Sequence, residues 1–317
     1  MDHLFGAPGA WDLRRCANRE CGLLWLDPMP AADELSKAYA SYYTHGESEG
    51  RPASGLRQWA RNLGEAYLAH RYGYRAEPLS RWYRAMSWLI FLHPGARANL
   101  DFSVFYLSAL GGRLLEIGLG SGRMLSSMRG RGWQVEGVDT DPAAVRIARA
   151  RSLEVHHGTL EERRFPTSSF DAIVMGHVIE HVSDPLSLMR ECRRLIKPQG
   201  KLVIITPNSD SWGHKLYKQY WRGLEPPRHL YIFNCRALRI LAEKAEFKKY
   251  ELSTTIRDAN GVFLASEHIR KVAKGSAPPS APPRNAYYRA RIMQLIEWVM
   301  LKFHPELGDE IVLIATR

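Results

Sequence analysis

The chain has 317 residues, of which 45% are hydrophobic and 24% charged, and carries a formal net charge of +11. That length suits one sizeable core with additions, or two domains, in a globular protein. No stretch approaches the roughly 20 apolar residues of a membrane span, Ala85 to Leu92 being the longest candidate. The four scattered cysteines, Cys16, Cys21, Cys192 and Cys235, are too few for a disulfide framework. They favour a reducing, cytoplasmic setting, and Met1 to Leu13 lacks the charged start and apolar run of a signal peptide.

Near the start, Cys16-Ala-Asn-Arg-Glu-Cys21-Gly spells half of a zinc knuckle, a site that needs four ligands in two pairs. No second pair is visible, so buried or free thiols are the plainer reading. Residues 51–98 hold eight arginines and no lysine against Glu65 and Glu77, which places +6 of the +11 in one segment. Trp59, Tyr67, Tyr72, Tyr74, Trp82, Tyr83 and Trp88 are interleaved with them. With few breakers the segment is expected to be helical. It reads first as a cap with aromatics packed inward and arginines solvated, and secondarily as a helix lying at a membrane interface, two readings that can hold together.

A helix is predicted from Asp101 to Leu110, and then the stretch around which the chain is organised, Arg113-Leu-Leu-Glu-Ile-Gly-Leu-Gly-Ser-Gly-Arg123. It reads as a buried strand, a turn built on Gly118, Gly120 and Gly122, and a helix start before Met124 to Met128. The unpaired N–H groups of such a helix aim at a ligand. Gln134 to Asp139 is a second strand ending in an acid 17 residues after Gly122, where a carboxylate can accept ribose hydroxyls. Pro142 opens the next helix, Leu153 to His157 is a third strand and Phe170 to Met175 a fourth, apolar enough to be covered on both faces.

The glycines follow Gly-x-Gly-x-Gly with Glu116 two residues ahead, whereas a dinucleotide fold shows Gly-x-Gly-x-x-Gly. This order resembles motif I of the class I S-adenosylmethionine-dependent methyltransferases. The resemblance implies S-adenosylmethionine as methyl donor, with Glu116 suiting its ammonium and Gly118, Gly120 and Gly122 lining it. It places Asp139 on the ribose, Thr140 beside the adenine, Gly158, Thr159 and Leu160 against the ring, and Gly176 at the strand end facing the ligand crevice. The stretch from Cys21-Gly-Leu-Leu-Trp-Leu-Asp-Pro-Met-Pro30 to Tyr39, Tyr42 and Tyr43 resembles the leader of bacterial methyltransferases that often carry a zinc ribbon. The upstream Cys-x-x-Cys of those leaders is missing.

His177-x-x-Glu180-His181 spells a zinc-peptidase string, but it leaves a strand and precedes Ser183-Asp184-Pro185, so the required helical spacing is not available. Glu180-His181-Val-x-Asp184-Pro185 instead resembles the motif after strand four in ubiquinone-biosynthesis-type O-methyltransferases. Some of those enzymes present Glu-x-x-Glu-His to a divalent cation. Here His177 replaces the first Glu, which weakens a magnesium site and leaves a softer metal or none. His177 and His181 are alternatively general bases, or ordinary capping and loop residues.

Pro185 to Ile196 is read as a helix, Lys197-Pro-Gln-Gly-Lys201 as a turn and Leu202 to Pro207 as a strand. Trp221-Arg-Gly-Leu-Glu-Pro-Pro-Arg-His229-Leu also resembles that subgroup, and its Arg228-His229 pair suits a substrate pocket rather than a lid loop. Asn234 caps a helix to Phe247, Lys248 to Ile256 is a sixth strand and Glu310 to Thr316 a seventh. Between them lies the stiff linker Ser276 to Pro283 and a basic, apolar-faced helix from Tyr287 to Phe303.

The expected architecture is an α/β, doubly wound (Rossmann-like) mostly parallel seven-stranded sheet with a final antiparallel edge strand. Residues 1–50 are a Cys-containing leader, 51–100 a helical cap and 101–317 the methyltransferase core, with an insertion at about 258–308. The expected acceptor is a small or lipid-like molecule methylated on oxygen through His177, Glu180, His181 and His229, with transfer to nitrogen or carbon, or a non-catalytic adenosyl-binding protein, as alternatives. An anionic membrane surface is an expected partner and nucleic acid is not, since apolar runs such as Met86 to Leu92 beside arginines suit a lipid headgroup boundary rather than a base-stacking groove.

Overall fold

The computed structural model describes Gly6 and residues 9–30, 55–75, 80–276 and 282–317. Tyr39, Tyr42 and Tyr43 of the leader, residues 51–54 and 76–79 of the basic segment and residues 277–281 of the expected linker lie outside the described residues.

The strands are β1 (Asp12–Arg15), β2 (Leu24–Asp27), β3 (Gly112–Ile117), β4 (Trp133–Asp139), β5 (Glu154–His157), β6 (Phe170–Gly176), β7 (Ile196–Pro207), β8 (Tyr231–Ile232), β9 (Lys249–Thr255) and β10 (Glu310–Thr316). Seven of them form one sheet in the order β5-β4-β3-β6-β7-β10-β9. β3 pairs parallel with β4 and β4 with β5, while β10 runs antiparallel to both β7 and β9. The order reverses between β3 and β6, the topological switch point at which such sheets bind ligands. The chain's final strand is antiparallel as expected and sits at that end of the sheet, one place in from β9, which is outermost. β7 begins at Ile196, so the expected turn at Lys197 to Lys201 is the kinked start of that strand, with Gln199 at φ 64°.

One compact unit comprises Tyr43–Val174 with Leu195–Gly200. Its central strands are apolar on both faces, with Leu114, Leu115, Val138, Ile173 and Val174 all buried, because helices cover a parallel sheet from both sides. The basic segment is helical over Gly55–Tyr72, Arg81–Met86, Ser87–Leu92 (a 3₁₀ turn) and Pro94–Phe102. Asp101 is its buried hub: it accepts the Tyr67 hydroxyl at 2.7 Å and the Tyr72 hydroxyl at 2.9 Å, with Arg71 Nε 3.3 Å away. Arg131 then ties the cap to the sheet layer through two bonds to Glu65, 2.9 and 2.8 Å. Tyr67 and Tyr74 are buried, but Trp82 remains 77% exposed. The helix expected from Asp101 to Leu110 ends at Phe102, because Phe105 and Tyr106 take φ 49° and 57° and the Tyr106 N–H turns back to the Asp101 carbonyl at 3.0 Å.

The other unit comprises Met1–Tyr42, Met175–Arg194 and Lys201–Arg317. In it β1, β2 and β8 form a small antiparallel sheet, so the cysteine hairpin is paired with the stretch that follows His229. Cys16 and Cys21 are half-buried free thiols in that hairpin. Asn234 caps the helix Cys235–Lys244 through the Ala237 N–H at 2.8 Å, as its position predicts. The insertion contains an unanticipated helix, Ala259–Ala273, before the expected one, Arg284–Met300. They pack through Ile256, Ala259, Phe263 and Ala290, with Met293, Trp298 and Leu301 against them.

Candidate functional site

β3, β4 and β5 end side by side, and the residues expected to hold a donor gather at those ends. The Gly118 N–H donates to the Val138 carbonyl at 2.9 Å, and Gly120 turns back so that its own N–H donates to Asp139 Oδ2 at 2.9 Å. Gly120 has φ 53° and open space where a Cβ would stand, so its conformation alone demands glycine there. Gly122, at φ 68°, starts the helix Arg123–Gly130, and a Cβ on it would lie 2.7 Å from Leu153 and 3.0 Å from Ala148. Asp139 Oδ1 accepts the Asp141 N–H at 2.9 Å, and the Thr140 carbonyl is 3.1 Å from His157 Nε2. The Gly158 N–H reaches the Asp139 carbonyl at 3.0 Å. Thr159 caps the short helix Leu160–Arg163 through a capping box with Glu162, and Leu160 is buried. The Thr-x-x-Glu spacing carried that signal.

Glu116 is the anomaly of this cradle. It is buried, its Oε2 has no hydrogen-bond partner, and burial followed by the Asp139 charge pushes it up to about 8 against one backbone N–H, that of Leu125. A carboxylate so placed is uncompensated, which is what a site for a cationic ligand requires. The residues present therefore fit S-adenosylmethionine: a cation for Glu116, hydroxyls for Asp139, and a glycine loop with no side chain in the way.

Gly176 ends β6, and the four residues expected to be catalytic belong to one cluster in the second unit. His177 follows at φ 56°, a strained conformation for a non-glycine residue, held by its N–H to the Ile205 carbonyl at 2.8 Å. Its Nε2 lies 2.9 Å from Glu310 Oε1 and its Nδ1 lies 3.4 Å from Glu180 Oε1. Burial disfavours the charged ring, but the Glu180 and Glu310 carboxylates outweigh it and hold His177 at about 10. Glu310 is in turn paired with Arg257, Nε to Oε2 at 2.8 Å, and sits at about 2 despite its burial. His177 is thus an imidazolium between two carboxylates, a role in ion pairing rather than proton removal.

Glu180 is 0% exposed, and its Oε2 accepts the Thr206 hydroxyl at 3.0 Å. Burial works against its charge, yet His177, His181 and His229 hold it at about 2. His181 and His229 meet edge to face at 4.8 Å between ring centroids. His181 Nδ1 is 2.9 Å from the Arg228 carbonyl and His229 Nδ1 is 2.7 Å from the Gly223 carbonyl. Burial and then His181 depress His229 to about 4. Arg228, fully buried, donates to Glu225 Oε1 at 2.9 Å, so it is no surface lid contact. Glu225 also pairs with Arg222 and lies 3.6 Å from His229 Nε2. Glu225 stood inside the quoted Trp-x-Gly-x-Glu string. Thr206, Arg257 and Glu310 carried no signal, since only the sheet brings them to His177 and Glu180.

The family described as methyltransferase domain matches residues 91–252. A ubiquinone biosynthesis O-methyltransferase of Xanthomonas oryzae is 35% identical over 136 residues, covering 41% of this chain and 57% of the relative. One of Alkalilimnicola ehrlichii is 34% identical over 137 residues, covering 41% and 56%. The chain thus spans little more than half the length of the curated relatives it matches. A solved methyltransferase of Thermotoga maritima, described as a possible histamine N-methyltransferase, aligns with a TM-score of 0.47 at 20% identity, over 80% of this chain and 99% of that one. With a family match running from the cap through the glycine loop, both strand-end acids and the histidine cluster into β9, the chain belongs to the methyltransferase-domain family.

Proposed function

We propose that the chain is an S-adenosylmethionine-dependent methyltransferase that methylates an oxygen of a small or amphiphilic acceptor. The observation that carries it is the pair of strand-end acids at the glycine loop, with Glu116 Oε2 buried and without a hydrogen-bond partner. S-adenosylmethionine supplies the methyl group as an electrophilic carbon on a sulfonium, already activated. The protein's work is therefore alignment and exclusion of water. Asp139 and the glycine loop hold the donor, and Glu116 holds its ammonium. Glu180, His181 and His229 would orient the acceptor hydroxyl, and the His181 imidazole would take the proton that this hydroxyl gives up as its oxygen accepts the methyl group. Oxygen is chosen because the named relatives are O-methyltransferases and the Glu180-His181 string resembles the motif of that subgroup.

Incubating the chain with labelled donor and a cell extract tests this: a base-stable product heavier by one methyl is expected. A labelled amine or carbon skeleton would move the acceptor atom to nitrogen or carbon. Donor binding without any product would make the chain a non-catalytic adenosyl-binding protein.

An amphiphilic acceptor is favoured by one surface. On the helix Arg284–Met300 and its end, Tyr288, Ile292, Leu295, Val299 and Phe303 are exposed along one face, with Arg284, Arg291 and Lys302 beside it. Apolar side chains flanked by cations suit the boundary of an anionic bilayer. No described helix is long and apolar enough to cross a membrane. The chain is expected to sediment with anionic vesicles and to be only partly released by salt. Remaining in the supernatant at low salt would point to a water-soluble acceptor.

A further inference from the structure

We propose that Arg228 is a positioning residue: with Glu225 it fixes the loop 225–230 so that its own carbonyl sets which ring nitrogen of His181 carries the proton. His181 takes the acceptor's proton in the reaction proposed for this chain, and the use made of the tautomer rests on that reading. A backbone carbonyl only accepts hydrogen bonds, so His181 Nδ1, 2.9 Å from the Arg228 oxygen, must be the protonated nitrogen. In the neutral ring the lone pair that can take a proton is then on Nε2. A free imidazole side chain in water favours the opposite form, with its proton on Nε2. The fold therefore imposes this tautomer.

The loop is built to hold that carbonyl still. Arg228 is 0% exposed, so its guanidinium cannot meet an acceptor; its Nε donates to Glu225 Oε1 at 2.9 Å, and Glu225 is also paired with Arg222. Separating such a buried pair leaves an uncompensated charge, which keeps the two ends of the loop together. The Glu225 carbonyl accepts the Arg228 and His229 N–H groups at 3.0 and 3.2 Å, while Glu225 itself holds a φ of 32°, rare for a non-glycine residue. Ahead of it, the Arg222 N–H donates to Ser266 Oγ at 2.9 Å, and a Cβ on Gly223 would lie 2.3 Å from the Trp221 ring. At the far end the Leu230 N–H donates to the Glu180 carbonyl at 2.8 Å. Glu180-His181 is thus gripped twice by one loop, once through main chain and once through the ring. Arg228 acts on His181 through its backbone, and its side chain decides where that backbone sits.

The tautomer can be read directly, without an acceptor. In the full chain labelled with ¹⁵N-histidine, a long-range ¹H–¹⁵N spectrum at about pH 8 separates protonated from unprotonated ring nitrogens, and the signal lost in His181→Gln identifies the residue. His181 is expected in the Nδ1–H form. Arg228→Met keeps the length of the side chain, removes its charge and leaves Glu225 paired with Arg222; it should shift His181 to a mixture dominated by Nε2–H. Arg228→Lys, able to donate to Glu225 again, should restore part of the Nδ1–H form. His214, whose Nδ1 lies 2.6 Å from the Ser209 carbonyl outside this loop, reports that the fold has survived. If His214 changes in Arg228→Met, Glu225→Gln is read in its place, since it keeps an acceptor of the same shape for Arg228 Nε; the same shift toward Nε2–H is expected there. His181 found as Nε2–H in the unsubstituted chain overturns the proposal, and so does an undiminished Nδ1–H form in a folded Arg228→Met or Glu225→Gln variant. Expected tautomers without any methylated product would remove the reaction and leave the positioning intact. Methylated product with tautomers unmoved in the variants would do the reverse.

Discussion

Asp139 Oδ2 accepts the Gly120 N–H at 2.9 Å, so the acid ending one strand holds in place the glycine loop that leaves its neighbour. The same carboxylate takes the Asp141 N–H on its other oxygen. The glycine loop and the turn after β4 are thereby tied to one side chain, the one proposed to take the donor's ribose.

Asp139→Ala is therefore expected to lose donor affinity twice over, through the ribose hydroxyls and through a loosened loop, by roughly 2 to 3 kcal/mol. Thermal stability of the unliganded chain should fall as well, since two backbone donors lose their acceptor. Calorimetry with S-adenosylmethionine and a melting curve measure the two effects, and undiminished affinity would remove this site.

Donor affinity should also depend on pH through Glu116. Burial and the Asp139 charge raise its folded value to about 8 from an ordinary 4.5, so near neutrality the empty site holds a proton there. A cationic ligand favours the ionised form, and binding below about pH 8 must release that proton. Affinity is expected to rise as pH goes from 6 to 8 and then level off, with proton release visible in buffers of different ionisation heat. In Glu116→Gln the slope should vanish and affinity fall; a slope that persists places the proton elsewhere.

Much of this cradle could be read from the chain because it is local. A strand, three glycines, an acid two residues ahead and a second acid at the next strand end each depend on near neighbours, and the structure sets them where that order implies. The histidine cluster was half legible. His177, Glu180, His181 and His229 were picked out by type, but the state of His177 depends on Glu310, 133 residues further on, paired to it only because β10 lies against β7. The helix expected over Asp101 to Leu110 stops at Phe102 for the opposite reason. Its apolar string carries no breaker, and two positive φ angles there are imposed by packing rather than by glycine or proline.

The cap should depend on Asp101 more than on its arginines. Asp101→Asn leaves the shape but gives the Tyr67 and Tyr72 hydroxyls a weaker acceptor and Arg71 no countercharge. A loss of about 1 to 3 kcal/mol in urea unfolding is expected. Substituting exposed Arg57 or Arg61, which have no such buried partner, should cost less than about 0.5 kcal/mol. Equal losses at all three positions would mean that the cap is held by its charge instead.

A last prediction concerns Glu297 and Asp309, two buried carboxyls that face each other across the start of β10. The Asp309 N–H donates to Glu297 Oε1 at 2.8 Å, while Glu297 Oε2 has no hydrogen-bond partner. Burial raises both groups above the carboxylate range, with the Asp309 charge adding to Glu297, and with Glu310 adding to Asp309 against the pull of Ser211. The folded chain thus keeps protons that the unfolded chain has released above about pH 4.5. Its stability from this pair is greatest at acid pH and falls as pH rises through the raised folded values, the reverse of an acid held in an ion pair. Glu297→Gln keeps a carbonyl oxygen for the Asp309 N–H and removes one ionisation. It should therefore melt higher than the unsubstituted chain at pH 8 and no higher at pH 5. A lower melting temperature at pH 8 would show that Glu297 is ionised and paired in the fold, and the sign of the argument would be reversed.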